Sequence, residues 1–184
     1  MIKKPFIAVL LSLVVCIDAS AQRWSIGTNA AQWANMVTLN ADASVAAGRH
    51  ATLGVGFRYN PWVFGTGETC LQNKQRTAYL YGKWWPWNIY SGWWFGLKGQ
   101  VEEYNQGGIF RKQTEEGDAY GLGLSAGYTI MLHRHLNLDI GLGGWGGYTK
   151  YVVYACPTCG RVISRGSKWF FMPDDLLVSL VFIF

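Results

Sequence analysis

The cysteines are the residues of this chain best suited to metal or redox chemistry. Cys156 and Cys159 form a C-x-x-C pair, while Cys70 lies in an earlier segment. A structural zinc site needs four ligands, of which one such pair supplies two. A thioredoxin-like pair would lie near a helix N-terminus, which the flanking sequence does not predict. In an exported chain the pair predicts a local disulfide, with Cys70 free or bridging two loops. We therefore expect no metal and no cofactor.

The histidines bear on enzymatic activity. His50, His133 and His135 all lie in short connections, whereas Ser164 and Ser167 lie in a long connection on the other side of the predicted strands. A lipid hydrolase would need its nucleophile beside a histidine. We therefore expect no catalytic residues and no enzymatic activity, with a lipid-modifying enzyme kept as an alternative.

The N-terminus predicts export. Two lysines precede an apolar run, residues 6–17, and small residues follow it. This order is typical of a cleaved signal peptide, here residues 1–21. The run is shorter than the ~20 apolar residues that a membrane-spanning helix needs. A lipoprotein signal is less favoured, because Val15 before Cys16 is not small.

The remainder, residues 22–184, is predicted to be one domain of alternating strands. In residues 119–132 every second side chain, from Tyr120 to Leu132, is apolar, and most of the others are small or polar. Strand side chains alternate between two faces, so one face of this strand is uniformly apolar. This is typical of a strand with lipid outside and a crowded lumen inside. Eight strands are predicted, at residues 24–32, 40–47, 51–60, 77–85, 93–104, 119–132, 136–151 and 176–184.

The connections between these strands alternate in length. Three are short, at residues 48–50, 86–92 and 133–135, and three are long, at residues 62–76, 106–117 and 154–168. Outer-membrane barrels have short periplasmic turns and longer extracellular loops. Aromatic residues gather near both strand ends, including six from Trp84 to Trp94, as in interfacial belts. The sequence thus predicts an all-β, eight-stranded antiparallel transmembrane β-barrel of the outer-membrane type, with both termini periplasmic. A soluble sandwich is the alternative.

Six charged residues fall on the inward-facing positions of these strands. They are three acids and three bases: Asp42, Glu102, Asp139, Arg58, Lys83 and Lys98. Side chains fill the interior of an eight-stranded barrel. Buried charges are costly unless they are paired, so the balanced set predicts a polar plug that closes the lumen. A minimal pore is the alternative.

Four motifs follow one another along the chain: Thr28-Asn29, Tyr59-Asn60-Pro61-Trp62, Tyr120-Gly121-x-Gly123-x-Ser125-x-Gly127-Tyr128 and Cys156-x-x-Cys159-Gly160. In this order the chain resembles a Bacteroidetes-type domain-of-unknown-function family of small outer-membrane barrels. The resemblance implies a porin-like or adhesin-like eight-stranded fold. Because some members are encoded beside fimbrial subunits, it also implies a role in surface-structure assembly or anchoring. Tyr79 and Tyr81 depart from the family pattern, because the resemblance implies more polar lumen residues at these two positions.

Composition narrows the range of partners. The formal net charge of +5, which becomes +4 without the predicted signal peptide, is a mild basic balance that suits anionic lipid headgroups, and no basic stripe indicates nucleic acid. We expect a non-enzymatic outer-membrane protein that is a structural, assembly or anchoring partner of a cell-surface complex. Its expected partners are membrane lipids and surface proteins, with no small-molecule substrate. The aromatic loop residues Trp33, Phe64 and Phe110 are the predicted contacts, because aromatic residues dominate interface energetics.

Overall fold

The computed structural model describes residues 23–65, 70–108, 113–157 and 160–184. The predicted signal peptide, residues 1–21, lies outside the described residues. One short helix and nine strands follow in chain order: β1 (Trp24–Asn29), α1 (Ala30–Ala34), β2 (Leu39–Ala46), β3 (Ala51–Asn60), β4 (Val63–Phe64), β5 (Leu71–Trp84), β6 (Gly92–Gly107), β7 (Thr114–His133), β8 (Leu136–Tyr154) and β9 (Val162–Ile183). No helix in these ranges has the length and apolar character needed to cross a membrane.

Eight of the strands close into an antiparallel barrel, as the sequence predicted. Each strand pairs with the next along the chain, except that β3 pairs directly with β5, and β9 returns to β1. The two-residue strand β4 pairs with the start of β5. Moving around the barrel from Ile26, from each residue to its cross-strand partner on the next strand, leads to Phe171 on β9. The direct partner of Ile26 on β9 is instead Phe182, eleven residues further along the strand. This offset means that the strands are tilted, as barrel closure requires.

The outer face of the barrel is apolar over most of its height. Leu80, Leu122, Leu124 and Leu142 are each about two-thirds exposed, at 66%, 67%, 69% and 68%. Other outward-facing apolar residues continue this surface: Leu53, Val55, Phe57, Leu97, Val101, Ile130, Ile140, Leu176 and Leu180. Soluble monomers rarely expose so large a contiguous apolar surface. We call this surface the apolar band. The band is compatible with an outer-membrane barrel.

A row of charged residues borders the apolar band. Arg76, Glu103, Asp118 and Lys150 are consecutive cross-strand partners on β5, β6, β7 and β8. All four side chains are exposed on the outside of the barrel. We call these residues the charged row. It lies toward the long connections, here called the loop end, and the short connections and both described chain ends form the opposite turn end.

The strands extend farther toward the loop end than the sequence predicted. β5 begins at Leu71 instead of residue 77, and β9 begins at Val162 instead of residue 176. In the added part of β5, Asn73 and Gln75 are buried inside while Lys74 faces out. Polar residues on both faces remove the hydropathic alternation on which the prediction rested. The predicted long loop at residues 154–168 is therefore strand over much of its length.

Candidate functional site

An aromatic cluster closes the lumen at the turn end. Trp85, Tyr90 and Trp94 are buried there with Val181 and Ile183. The rings of Trp85 and Trp94 lie 6.4 Å apart, and Trp85 meets Tyr90 edge to face. We call these five residues the aromatic plug.

The plug corrects the predicted interfacial belt at this end. Trp84, Trp87 and Trp93 are exposed on the outside, at 54%, 59% and 52%. Trp85 and Trp94 are 1% and 0% exposed, because successive residues of a strand face opposite sides of the wall. The alternation of inward- and outward-facing residues that assigned the six charges to the lumen also assigns Trp85 and Trp94 to the lumen.

Polar bonds hold the plug to the barrel wall. The Asn137 side-chain amide donates to the carbonyl oxygen of Tyr90 at 2.7 Å, and Asn137 is 2% exposed. The indole of Trp85 donates to Thr52 Oγ1 at 3.3 Å. These two bonds satisfy the Tyr90 carbonyl and the Trp85 indole, whereas the buried indole N–H of Trp94 has no hydrogen-bond partner in the described part of the chain.

Two of the predicted lumen charges form a direct pair above the plug. Lys83 Nζ lies 2.7 Å from Asp139 Oδ2, and Thr129 Oγ1 donates to Asp139 Oδ1 at 2.6 Å. The Lys83 and Asp139 side chains are 19% and 5% exposed. Lys83 Nζ also lies 4.2 Å from the centre of the Trp94 ring, which is within cation–π range. The pair joins β5 to β8 across the lumen, directly over the aromatic plug.

Tyrosines occupy the lumen where the family resemblance implied more polar residues. The Tyr81 hydroxyl donates to Asp42 Oδ2 at 2.6 Å, and the Arg58 guanidinium lies 5.4 Å from the centre of the Tyr79 ring. These rings have space because β3 presents glycine beside them: a Cβ on Gly56 would overlap the Tyr79 ring. Both tyrosines thus fill volume with their rings, while the Tyr81 hydroxyl binds a carboxylate and the Tyr79 ring faces a guanidinium.

The remaining predicted charges lie higher in the lumen. Lys98 is 6% exposed, and its aliphatic stem lies where a Cβ on Gly123 would be. Glu102 Oε2 accepts a hydrogen bond from Gln100 Nε2 at 2.9 Å. With Asp42, Arg58, Lys83 and Asp139, these two complete the six residues that the sequence assigned to the lumen, and all six lie on its inner face.

A cavity of about 480 Å³ lies above these charges toward the loop end. We call it the vestibule. The Tyr104 hydroxyl donates to Glu115 Oε1 at 3.0 Å, and Lys168 Nζ binds the same oxygen at 2.9 Å. Burial, with smaller contributions from Glu115 and Glu102, raises the pKa of Tyr104 to about 12. The phenol therefore stays protonated and remains a donor at neutral pH.

The first connection at the loop end is fixed by asparagines from two of the sequence motifs. Asn29 caps helix α1 by accepting from the Ala31 amide at 3.0 Å. Asn60 donates from its side chain to Thr38 Oγ1 at 2.9 Å and to the Met36 carbonyl at 3.2 Å. The motif asparagines therefore organise a loop instead of lining a reactive site.

The predicted contact residues are partly placed by the structure. Trp33 lies in α1, is 48% exposed, and donates from its indole to Thr28 Oγ1 at 2.9 Å. Phe64 lies in β4 and is 47% exposed. Phe110 lies outside the described residues. The two placed aromatics are thus on the surface of the loop end.

The cysteines and histidines occupy opposite ends of the barrel. Cys156 is disulfide-bonded and Cys70 is a buried free thiol. Cys159 lies outside the described residues, so its pairing with Cys156 stays a prediction. His50 and His135 lie at the turn end, each with Nδ1 3.0 Å from a backbone carbonyl oxygen. No group of three or more potential metal ligands occurs within the described ranges.

Comparison with known proteins gives a family and nothing finer. No curated protein and no solved structure matches the chain. One family, described as "Protein of unknown function (DUF3575)", matches residues 7–184. This match confirms the expected domain-of-unknown-function membership, while the Bacteroidetes and fimbrial associations stay predictions. Because nearly the whole chain is covered, the protein belongs to the DUF3575 family.

Proposed function

We propose that this protein is an integral outer-membrane barrel with a closed lumen, whose loop end anchors or assembles a cell-surface complex. The observation that carries the proposal is the closure of the lumen at its turn end. The aromatic plug closes the turn end, and the Lys83–Asp139 pair lies directly above it. A barrel closed in this way is suited to anchoring another protein at the cell surface, and poorly suited to passing solutes through the membrane.

The apolar band and the charged row support the membrane placement. On β7, seven outward-facing positions from Tyr120 to Leu132 carry only apolar or aromatic residues. A tilted transmembrane strand needs about 9–11 residues, which this stretch supplies. The charged row then lies where lipid headgroups begin. The short turns are assigned to the periplasm because outer-membrane barrels follow that rule, which leaves the loop end outside the cell.

The loop end supports a contact role. β6, β7, β8 and β9 continue past the charged row, so that a folded wall extends beyond the apolar band. Trp33 and Phe64 present exposed rings at the same end. The three histidines lie at the opposite end, which disfavours a lipid-modifying enzyme built on a histidine base. The link to fimbriae rests on the family resemblance alone.

Photo-crosslinking in intact cells tests the contact role. Benzoylphenylalanine at position 33 or 64 is expected to give discrete adducts with another protein. The same group at Leu124, in the apolar band, is the matched control and is expected to label lipid only. If positions 33 and 64 yield no protein adduct in intact cells, the anchoring role is wrong, although the barrel itself would stand.

Conductance tests the closed lumen separately. Purified protein in planar bilayers is expected to show no steady single-channel current. The double change Trp85→Ala and Trp94→Ala removes two plug rings and is expected to produce measurable current. Steady current from the unchanged protein would favour the minimal pore instead.

A further inference from the structure

The vestibule has one polar and one apolar wall. Residues from β8 and β9 supply the apolar side, chiefly Trp145, Phe170 and Met172. Asn73 and Gln75 from β5 and Glu102 from β6 supply the polar side. Ligand cavities of 300–1,000 Å³ typically combine an apolar lining with a few polar groups, and barrel mouths are among their usual places. At about 480 Å³ the vestibule lies within that range.

Two lining residues are buried with polar atoms that no group in the described ranges satisfies. Asn73 is 6% exposed and Trp145 is 2% exposed. Asn73 Oδ1 and Trp145 Nε1 have no hydrogen-bond partner within the described part of the chain. Buried polar groups in folded proteins nearly always have partners. An acceptor on one wall and a donor on the other therefore lack protein partners, and a bound molecule that displaces the side chains covering them would supply those partners.

The contacts of the apolar wall indicate the shape of that molecule. Phe170 meets Trp145 edge to face, with ring centres 4.6 Å apart, and Met172 lies beside them. Aromatic rings and thioether sulfur favour flat aromatic partners. The charges around the cavity are already engaged, since Lys168 binds Glu115 and Gln100 donates to Glu102. A neutral molecule is therefore favoured over an ion.

We propose that the vestibule binds a small neutral aromatic molecule carrying a hydroxyl or amine donor, with the ring against Phe170 and Met172 and the donor toward Asn73 Oδ1. This binding would be additional to the proposed anchoring role, because the vestibule lies inside the wall whereas Trp33 and Phe64 lie on the outer surface. Loss of either function would leave the other measurable.

The probe for this site is 2-naphthol, titrated into the whole folded protein in phosphatidylcholine nanodiscs. The readout is the indole N–H resonance of Trp145, assigned by its loss in Trp145→Phe. We expect a saturable shift of that resonance, with the resonances of Trp85 and Trp94 unchanged below the lumen charges. 2-Methoxynaphthalene has the same ring system without a donor and is expected to bind about tenfold more weakly, as the loss of one hydrogen bond implies.

Variants at neighbouring positions of β5 test the role of Asn73. Asn73→Leu is expected to abolish the preference for naphthol over its methyl ether, and Asn73→Asp, which retains an acceptor, to preserve it. Lys74→Leu changes the adjacent, outward-facing residue and is expected to bind as the unchanged protein does. A Trp145 shift that fails to saturate, or that is equal for both probes in the unchanged protein, would reduce the effect to lipid partitioning and overturn the proposal.

Discussion

At the scale of single residues, the lumen holds ionised side chains at positions from which neighbouring side chains exclude water. Lys83 is held by Asp139 and by the face of Trp94, while Asp139 also accepts from Thr129. Each charged group thus has more than one favourable contact. A buried ion pair seldom adds net stability, but removal of one partner leaves the other charge uncompensated.

Lys83→Met and Asp139→Asn are therefore each expected to destabilise the barrel by about 3–5 kcal/mol. The double variant should be less destabilised than the sum of the single variants. The measurement is a double-mutant cycle from urea unfolding in phospholipid vesicles. Arg76→Met and Glu103→Gln provide the matched control, because that pair is 3.9 Å apart and about 70% exposed. The control coupling should be below about 1 kcal/mol; equal coupling in both pairs would contradict the role given to Lys83.

Gly56→Ala tests the packing of tyrosine against glycine inside the barrel. A Cβ at this position would overlap the Tyr79 ring, so we expect a loss of about 1–3 kcal/mol, as for other overpacked cores. Tyr79→Leu in the same chain should recover part of that loss. Gly99→Ala is the control, since its Cβ would meet Leu122 at an ordinary 3.9 Å. If Gly56→Ala unfolds in urea as Gly99→Ala does, the lumen is looser than described.

The sequence predicts which residues face the lumen, but not which of them pair. Strict alternation places Lys83 and Asp139 inside as soon as β5 and β8 are recognised. Their contact joins strands that are not neighbours in the sheet, and it depends on the tilt of the strands around the ring. Neither the tilt of the strands nor the contact between β5 and β8 can be obtained from residue spacing along the chain.

Among the elements, the first loop-end connection stores backbone strain. Met36 and Val37 have φ values of 50° and 56°, in the left-handed region that non-glycine residues rarely adopt. The conformation is held by the bond from Asn60 to Met36 O and by Trp62 Nε1, which donates to Val37 O at 3.1 Å. The motif Tyr59-Asn60-Pro61-Trp62 thus has a structural purpose.

Val37→Gly should relieve this strain and stabilise the protein by about 1 kcal/mol, because glycine adopts positive φ at no steric cost. Val45→Gly, in the extended strand β2, is the control and should destabilise it instead. Thermal unfolding in detergent compares the two. A loss of stability in both would show that the left-handed conformation of Val37 carries no cost.

The strand ends at the loop end are the part of the fold that the sequence predicts least well. Apolar alternation marks a strand only where one face meets an apolar medium, and Gln72, Asn73, Lys74 and Gln75 lack it. In β9, Pro173 suggests an interruption. The strand continues there because Pro173 lies at a bulge opposite Gly143 and Gly144, where a missing N–H is tolerated.

For the molecule as a whole, the surrounding medium decides the effect of an outward-facing charge. Leu124→Arg places a cation within the apolar band and is expected to cost about 2–4 kcal/mol in a bilayer. Leu132→Arg, near the turn end of the same strand, should cost about 0–1 kcal/mol. Urea unfolding in phospholipid vesicles measures both. Equal, small effects would mean that no hydrocarbon surrounds the band.

The bonds that close the ring have a consequence for the order of events during folding. β1 and β9 are joined by only five residue pairs, from Ser25–Ile183 to Asn29–Ser179, and Trp24 and Phe184 exchange two backbone bonds beside them. The first and last strands meet at this seam, so the cylinder cannot be completed before β9 is available. Until then the sheet has two open edges that can pair with other chains. Because contacts between such distant residues form slowly, the seam should be the last to form and the step most exposed to misassembly.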